Sequence, residues 1–266
     1  MPTLNACDIS YFQPVVNDSY PFRWLIFRCC DGDFIDPNML ANAEWAKAAV
    51  TRGRMDGWTV YAVWRPGMNA HVLANLALVM TSTSFVMVDV ESWGGQISGD
   101  HSAEITELVN ALAAKYGQSH VWVYGNAGDL ASLYPHRPAW VRLVVASYGT
   151  LQPSLPNMVG WQYTDGQNIT AGRPHSTAPF GACDHNVLYL TDADVGIQSP
   201  TGGGTLLEDF LMALSDGEQQ EILAAARQWN KRFKKFDLTA WAILGDGKGQ
   251  AGIRTVLQAI RSKLGV

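Results

Sequence analysis

Two acids stand two residues apart in Ser84-Phe85-Val86-Met87-Val88-Asp89-Val90-Glu91-Ser92. Val86, Val88 and Val90 alternate with Met87, Asp89 and Glu91, the period-two pattern of a strand, so Asp89 and Glu91 point to the same side. An ionised carboxylate costs free energy to bury unless it is paired. Two acids on one face at the end of an apolar strand therefore suit acid/base chemistry. Partial burial and mutual repulsion push their pKa values apart, leaving one protonated and one ionised. A strand end that merely emerges into solvent is the bland alternative, and D-x-E alone does not separate the two.

The surrounding pattern supplies a frame for these acids. Apolar runs predict strands at 4–10, 24–30, 58–64, 84–92, 121–125, 143–148, 159–163 and 182–187. Helical spacing is expected at 39–52, 69–81 and from Ser102, where Ile105, Leu108, Val109 and Leu112 form one stripe. Strands and helices alternate through about residue 130, as in a barrel of parallel strands with helices outside. The second half is poorer in helices, so the expected barrel is irregular. Acids and polar aromatics recur where these strands end: Asp8, Tyr61, Asp89, Glu91, Tyr124, Gln162, Tyr163 and Asp184. In an α/β barrel that rim carries the active site, so carboxylates from distant segments can converge on one pocket.

Bulk properties narrow the function classes. The chain has 266 residues, 47% of them hydrophobic, and a net charge of −5. Residues 1–204 hold 10 Lys+Arg against 17 Asp+Glu, so no nucleic-acid footprint is expected there. No apolar run reaches the ~18 residues of a membrane span, and no stable membrane insertion is expected. The N-terminal residues lack a basic region and an apolar core, so no secretory signal is read. None of Cys7, Cys29, Cys30 and Cys183 sits in a C-x-x-C pair, and no His lies at zinc-ligand spacing from them. No metal or other cofactor is expected. Cys7 precedes Asp8 and Cys183 precedes Asp184, so the two thiols would face each other outside the barrel if their strands are neighbours. A disulfide is one outcome of such a pairing, and buried free thiols are the commoner one.

After Gln198 the composition changes. Ser199 to Gly204 reads as a Gly-rich linker. Residues 205–266 are helical in pattern throughout, with 9 Lys+Arg against 7 Asp+Glu. Leu207, Phe210, Leu211 and Leu214 form one stripe, and Ile222, Ala225, Ala226, Trp229 and Phe233 form another. Three short helices bury only a small core. The apolar remainder is therefore expected to pack on another surface, such as a second copy of the segment in an oligomerisation module. Lys231, Arg232, Lys234 and Lys235 could meet an anionic partner or simply complement a helix terminus.

Residues 5–190 resemble the glycoside hydrolase family 25 muramidases, the lysozyme type of many phage endolysins. Asp8-Ile9-Ser10 with Phe12-Gln13 is similar to the family's opening D-x-S…Q. Phe27 to Gly32, then Asp36-Pro37, resembles K-A-T-E-G…D-P, and Tyr61-Ala62-Val63…Arg65-Pro66 resembles Y-H-F…R-P. Val88 to Glu91 resembles the D-x-E strand; Tyr124, Trp161-Gln162-Tyr163 and Asp184-His185-Asn186 resemble the remaining stations. The departures are Asp31 for the family's Glu, Ala62 for its His, and Cys29-Cys30 for its small pair.

The resemblance implies a flattened, irregular (β/α) barrel of TIM-like type over 1–198, with a small all-α segment at 205–266. It implies cleavage, with retention, of the β-1,4 bond between N-acetylmuramic acid and N-acetylglucosamine in peptidoglycan. Glu91 would be the general acid. Asp89 would stabilise the cationic transition state or an oxazolinium formed by the substrate's own acetamido group, an exception to the two-carboxylate scheme. Asp8 and Asp184 would line the same cleft, with Tyr61, Tyr124, Gln162 and Tyr163 as supporting residues. The partner implied is a peptidoglycan glycan strand, with self-association or wall-polymer contact through 205–266. The protein would wait in the host cytoplasm until released to the wall, or travel in the virion. The rival expectation is a non-catalytic glycan-binding or structural virion protein that keeps the barrel.

Overall fold

In the computed structural model, residues 3–81, 84–149, 151–191 and 194 are described. The linker at 199–204 and the helical segment at 205–266 lie outside the described residues, as do the wall binding and self-association expected of them.

The apolar runs become strands where expected. In chain order the elements are β1 (Leu4–Ile9), β2 (Trp24–Asp31), β3 (Phe34–Ile35), α1 (Met39–Thr51), β4 (Gly57–Val63), α2 (Asn69–Leu76) and β5 (Phe85–Asp89). They continue with α3 (Ser102–Tyr116), a short 3-10 turn at Gln118–His120, β6 (Val121–Asn126), α4 (Ala127–Ser132), β7 (Arg142–Ala146) and β8 (Met158–Thr164). A small hairpin of β9 (Ser176–Thr177) and β10 (Gly181–Ala182) precedes β11 (Asp184–Leu188). The helices α1, α2 and α3 fall where the periodicity puts them; α4 is an addition to them. Strands β7 to β11 follow one another without intervening helices among the described residues.

Strands β1, β2, β4, β5, β6, β7, β8 and β11 close into a mixed barrel. From β1 through β8 neighbouring strands run parallel. Strand β11 is antiparallel to both β8 and β1. This corrects one expectation: Asp184 is not at the C-terminal end of a parallel strand. It opens a reversed strand, and the reversal carries it to the rim where the parallel strands end, directly across from Asp8 in register.

Period two divides each strand between two cores. Cys7, Leu25, Phe27, Val60, Val86 and Val88 point outward into a core shared with Leu76, Ile105, Leu108 and Leu112 of the helices. Ala6, Trp24, Ile26, Phe85, Met87, Trp122, Val144 and Leu188 fill the lumen. Trp24, Phe85 and Trp122 close the lumen floor, with ring centroids 4.9–6.3 Å apart. Up each strand the lumen positions change from apolar to polar: Ala6 to Asp8, Ile26 to Arg28, and Phe85 through Met87 to Asp89. An apolar plug therefore supports a polar cup at the rim.

Candidate active site

The cup is a cleft of about 490 Å³. Its lining includes Asp8, Tyr61, Asp89, Glu91, Tyr124, Gln162 and Asp184, all expected from the sequence. Tyr163 is the exception. It neighbours Gln162 on β8, so it points to the opposite face, where it packs edge-on to Trp161 at 5.7 Å. That orientation removes it from the supporting residues. Trp64 and Trp161 are also buried in packing, whereas Trp93 lines the cleft. Ala62 faces the helix-side core and Asp31 lines the cleft, so of these two departures from the family pattern one reaches the site.

Asp89 is held by the barrel and Glu91 by the segment beyond β5. Strand β5 ends at Asp89, whose carbonyl accepts from the Trp64 N–H at 2.9 Å. The Val90 N–H donates to the Tyr124 carbonyl at 2.9 Å, extending the pairing with β6 past the strand end. The Ser92 N–H donates to Asp129 Oδ2 at 3.1 Å, and Asn126 Nδ2 donates to the same oxygen at 2.7 Å. Glu91 is thus gripped between two backbone anchors. Trp93, Gly94 and Gly95 all take positive φ, and the Trp93 side chain lines the cleft.

The opposite wall is a hydrogen-bond relay. Tyr124 Oη and Tyr148 Oη each donate to Gln162 Oε1 at 2.6 Å, and Gln162 Nε2 donates to Asp8 Oδ2 at 3.4 Å. Burial, followed by the charge of Asp8, pushes the Tyr61 hydroxyl up; burial and Tyr148 do the same for Tyr124. Both therefore stay protonated as donors.

Two arginines border the acids. Arg65 grips Asp31 with Nε at 2.5 Å and Nη2 at 3.0 Å, and its guanidinium lies 4.4 Å over the Trp93 ring. Arg28, buried, donates from Nε to Asp36 Oδ2 at 3.0 Å, beside the ring of Tyr11. Asp8 Oδ1, Asp89 Oδ1 and Arg28 Nη2 are buried without a hydrogen-bond partner among the described residues. Such groups are costly in a plain core; here they border a cleft that a polar ligand can fill.

Electrostatics follow from burial. Burial, then Glu91 and Asp8, push the Asp89 carboxyl well above the usual range. Burial, Asp184 and Glu91 do the same to Asp8, against the pull of Arg28. Glu91 is raised by burial and Asp129, with Arg65 and a hydrogen bond from Asp89 acting downward. Asp184 is pushed up to about 7, chiefly by burial. The cleft thus raises the proton affinity of all four acids, Asp8, Asp89, Glu91 and Asp184.

Several lining residues were not singled out from the sequence as part of the site. Tyr148 follows β7 and carried the same signal as Tyr124, a polar aromatic at a strand end. Arg28 carries the period-two signal, being two residues beyond Ile26. Tyr11, Phe12 and Phe34 gather at one side of the cleft, Tyr11 and Phe12 with centroids 4.2 Å apart and Phe12 72% exposed. That gathering brings loop residues onto β3, and no local spacing announces it.

Comparison with known proteins agrees with this architecture. No family model matches the chain. It is 36% identical to the Mycobacterium tuberculosis protein Rv3766, itself uncharacterized, over 91% of this chain and 89% of that one. Among solved structures, a family 25 glycosyl hydrolase from Bacillus anthracis superposes with a TM-score of 0.55 at 16% identity, covering 72% of this chain and 91% of that one. The CTP1L endolysin superposes with a TM-score of 0.53 at 19% identity, covering 73% and 68%. The chain therefore belongs to one family with Rv3766, and its barrel has the fold of the family 25 glycoside hydrolases.

Proposed function

We propose that the protein is a peptidoglycan hydrolase, an N-acetylmuramidase that cleaves the β-1,4 bond between N-acetylmuramic acid and N-acetylglucosamine with retention. The observation that carries this reading is the convergence of four carboxyls, Asp8, Asp89, Glu91 and Asp184, from three distant segments onto one cleft. The aromatic side formed by Tyr11, Phe12 and Phe34 suits the apolar face of a sugar ring. The fold shared with an endolysin and a family 25 glycosyl hydrolase supports the same substrate class. Lysis of the bacterial cell wall, in the manner of a phage endolysin, is part of this proposal.

In this reading Glu91 protonates the glycosidic oxygen as the C1–O bond breaks. The acetamido oxygen of the muramic acid attacks C1, and Asp89 stabilises the resulting oxazolinium. Water then adds at C1 and returns a proton to the Glu91 carboxylate. The reaction needs a proton on Glu91, whose carboxyl burial already pushes up. An acetamido N–H donated to Asp89 favours its ionised form, and an ionised Asp89 next door helps hold the proton on Glu91.

The test incubates the protein and a Glu91→Gln variant with purified peptidoglycan and assays new reducing ends. Release by the unmodified protein, with a loss of about 10²–10⁴-fold in the variant, is expected for a general acid. No release from any wall type would leave the second reading, a glycan-binding protein without catalysis. That reading draws on Asp31, which Arg65 holds in a two-point ion pair at the cleft.

A further inference from the structure

Behind the acidic cleft, on the outer face of the closing seam, three groups meet that the proposed reaction does not use. Cys7 and His185 are register partners on the antiparallel pair β1–β11, and Cys183 lies just before β11. The Cys183 Sγ is 3.5 Å from Cys7 Sγ, and His185 Nε2 is 3.9 Å from Cys7 Sγ. The three ligand-type atoms all lie within 4.8 Å of one another. The residues are 0%, 1% and 0% exposed. From this geometry we infer a buried metal site of Cys7, Cys183 and His185, suited to zinc.

Distances favour a metal over a disulfide. A tetrahedral zinc with thiolates at about 2.3 Å and an imidazole at about 2.0–2.1 Å sets its sulfurs roughly 3.8 Å apart and sulfur to nitrogen roughly 3.5 Å. The observed sulfur–sulfur distance of 3.5 Å is about 0.3 Å short of that spacing and the sulfur–nitrogen distance of 3.9 Å about 0.4 Å beyond it, whereas a disulfide needs its sulfurs at about 2.05 Å. Cys7 and Cys183 are both free thiols in this structure. A disulfide would also leave His185 unused.

The chemistry of the donor set agrees. Two thiolates and a neutral imidazole leave a divalent zinc with no net charge, which suits burial. Each thiol gives up its proton on binding. His185 Nε2, the ring nitrogen that faces Cys7 Sγ, would be the ligating atom, which makes Nδ1 the N–H of a neutral imidazole. Three protein ligands leave the fourth position to water or another small ligand. The enclosure is tight: Tyr20 Oη donates to the Trp24 carbonyl at 2.5 Å and accepts from the Cys7 N–H at 2.9 Å. A Cβ at Gly166 would lie 2.6 Å from the Cys183 nitrogen. Since Cys7 precedes Asp8 and Cys183 precedes Asp184, the ion would clasp the two strands that present those acids.

The test uses tag-free, full-length protein purified under reducing conditions and stripped with a chelator. It is titrated with zinc against a chromophoric competitor, then with cobalt. One zinc per chain and a thiolate-to-cobalt charge-transfer band are expected. Cys183→Ala and His185→Gln should each weaken zinc uptake by at least about 100-fold, the loss that disturbing outer-shell support alone can reach. Cys30→Ala, at a buried thiol outside the cluster, should keep it. No uptake by the unmodified protein, uptake without the thiolate band, or undiminished uptake in a folded Cys183→Ala variant would overturn the inference. So would a Cys7–Cys183 disulfide found by thiol counting in protein purified under air. Should the variants not fold, the stoichiometry and cobalt spectrum of the unmodified protein decide alone.

Discussion

Asp89 occupies a position that a plain core would give to an apolar residue. It is 5% exposed, its Oδ1 has no hydrogen-bond partner among the described residues, and its strand neighbours Val88 and Val90 are buried. A carboxyl kept there lowers stability for the sake of the site, as functional residues commonly do. Asp89→Asn separates the two roles. Turnover on peptidoglycan should fall by about 10²–10³-fold, the cost of losing one preorganised stabilising group. The same variant should unfold at a higher temperature, gaining about 0.5–2 kcal/mol. Reducing-end assays and thermal denaturation read both. Lower turnover with lower stability would mean that Asp89 instead supports the barrel.

Strands and turns hold those residues in place. Gly125 on β6 lies against the extension of β5: a Cβ there would sit 2.6 Å from the Val90 carbonyl oxygen. Gly125→Ala should therefore push the segment carrying Glu91 out of place. We expect an overpacking cost of about 1–3 kcal/mol together with reduced turnover, measurable by denaturant unfolding and the same assay. Wild-type activity in this variant would show that Glu91 does not depend on the β5–β6 contact. The same strand periodicity decides which features were legible in the sequence. Alternation along β5 placed Asp89 and Glu91 in one cleft because period two is a local property. Gln162 and Tyr163 could not both face the cleft for the same reason, and alternation excludes Tyr163. The direction of β11 was not legible, because a strand of five residues reads the same in either sense. The approach of Cys7 to Cys183 was legible only as a condition on which strands are neighbours, and the arrival of His185 beside them was not legible, since both depend on barrel closure between the two ends of the described chain.

Taken as a whole, the barrel gathers acids that are paired and acids that are merely buried, and these respond oppositely to pH. Asp194 is partly buried, which acts upward, but Arg142 and Thr191 outweigh this and hold it below its ordinary value. A carboxylate of that kind adds stability that is present above its unfolded pKa and lost as pH falls through its folded pKa. The cleft acids have the opposite sign. Asp8, Asp89 and Asp184 have raised folded values, so their contribution is full below the unfolded value, about 4. It is lost as pH rises through the folded value. For Asp184 the window runs from the ordinary value of 3.8 to about 7. The melting temperature should therefore decline between about pH 5 and pH 8, and Asp184→Asn should remove part of the decline. A tenfold change in proton affinity is worth about 1.36 kcal/mol. Asp184 is only partly buried by area, so solvent reduces the effect and we expect about 1–2 kcal/mol at pH 8. Near pH 4 the variant and the unmodified protein should differ little. Thermal scans across that range check it; a melting-temperature difference constant with pH would show that Asp184 is not held protonated by the cleft.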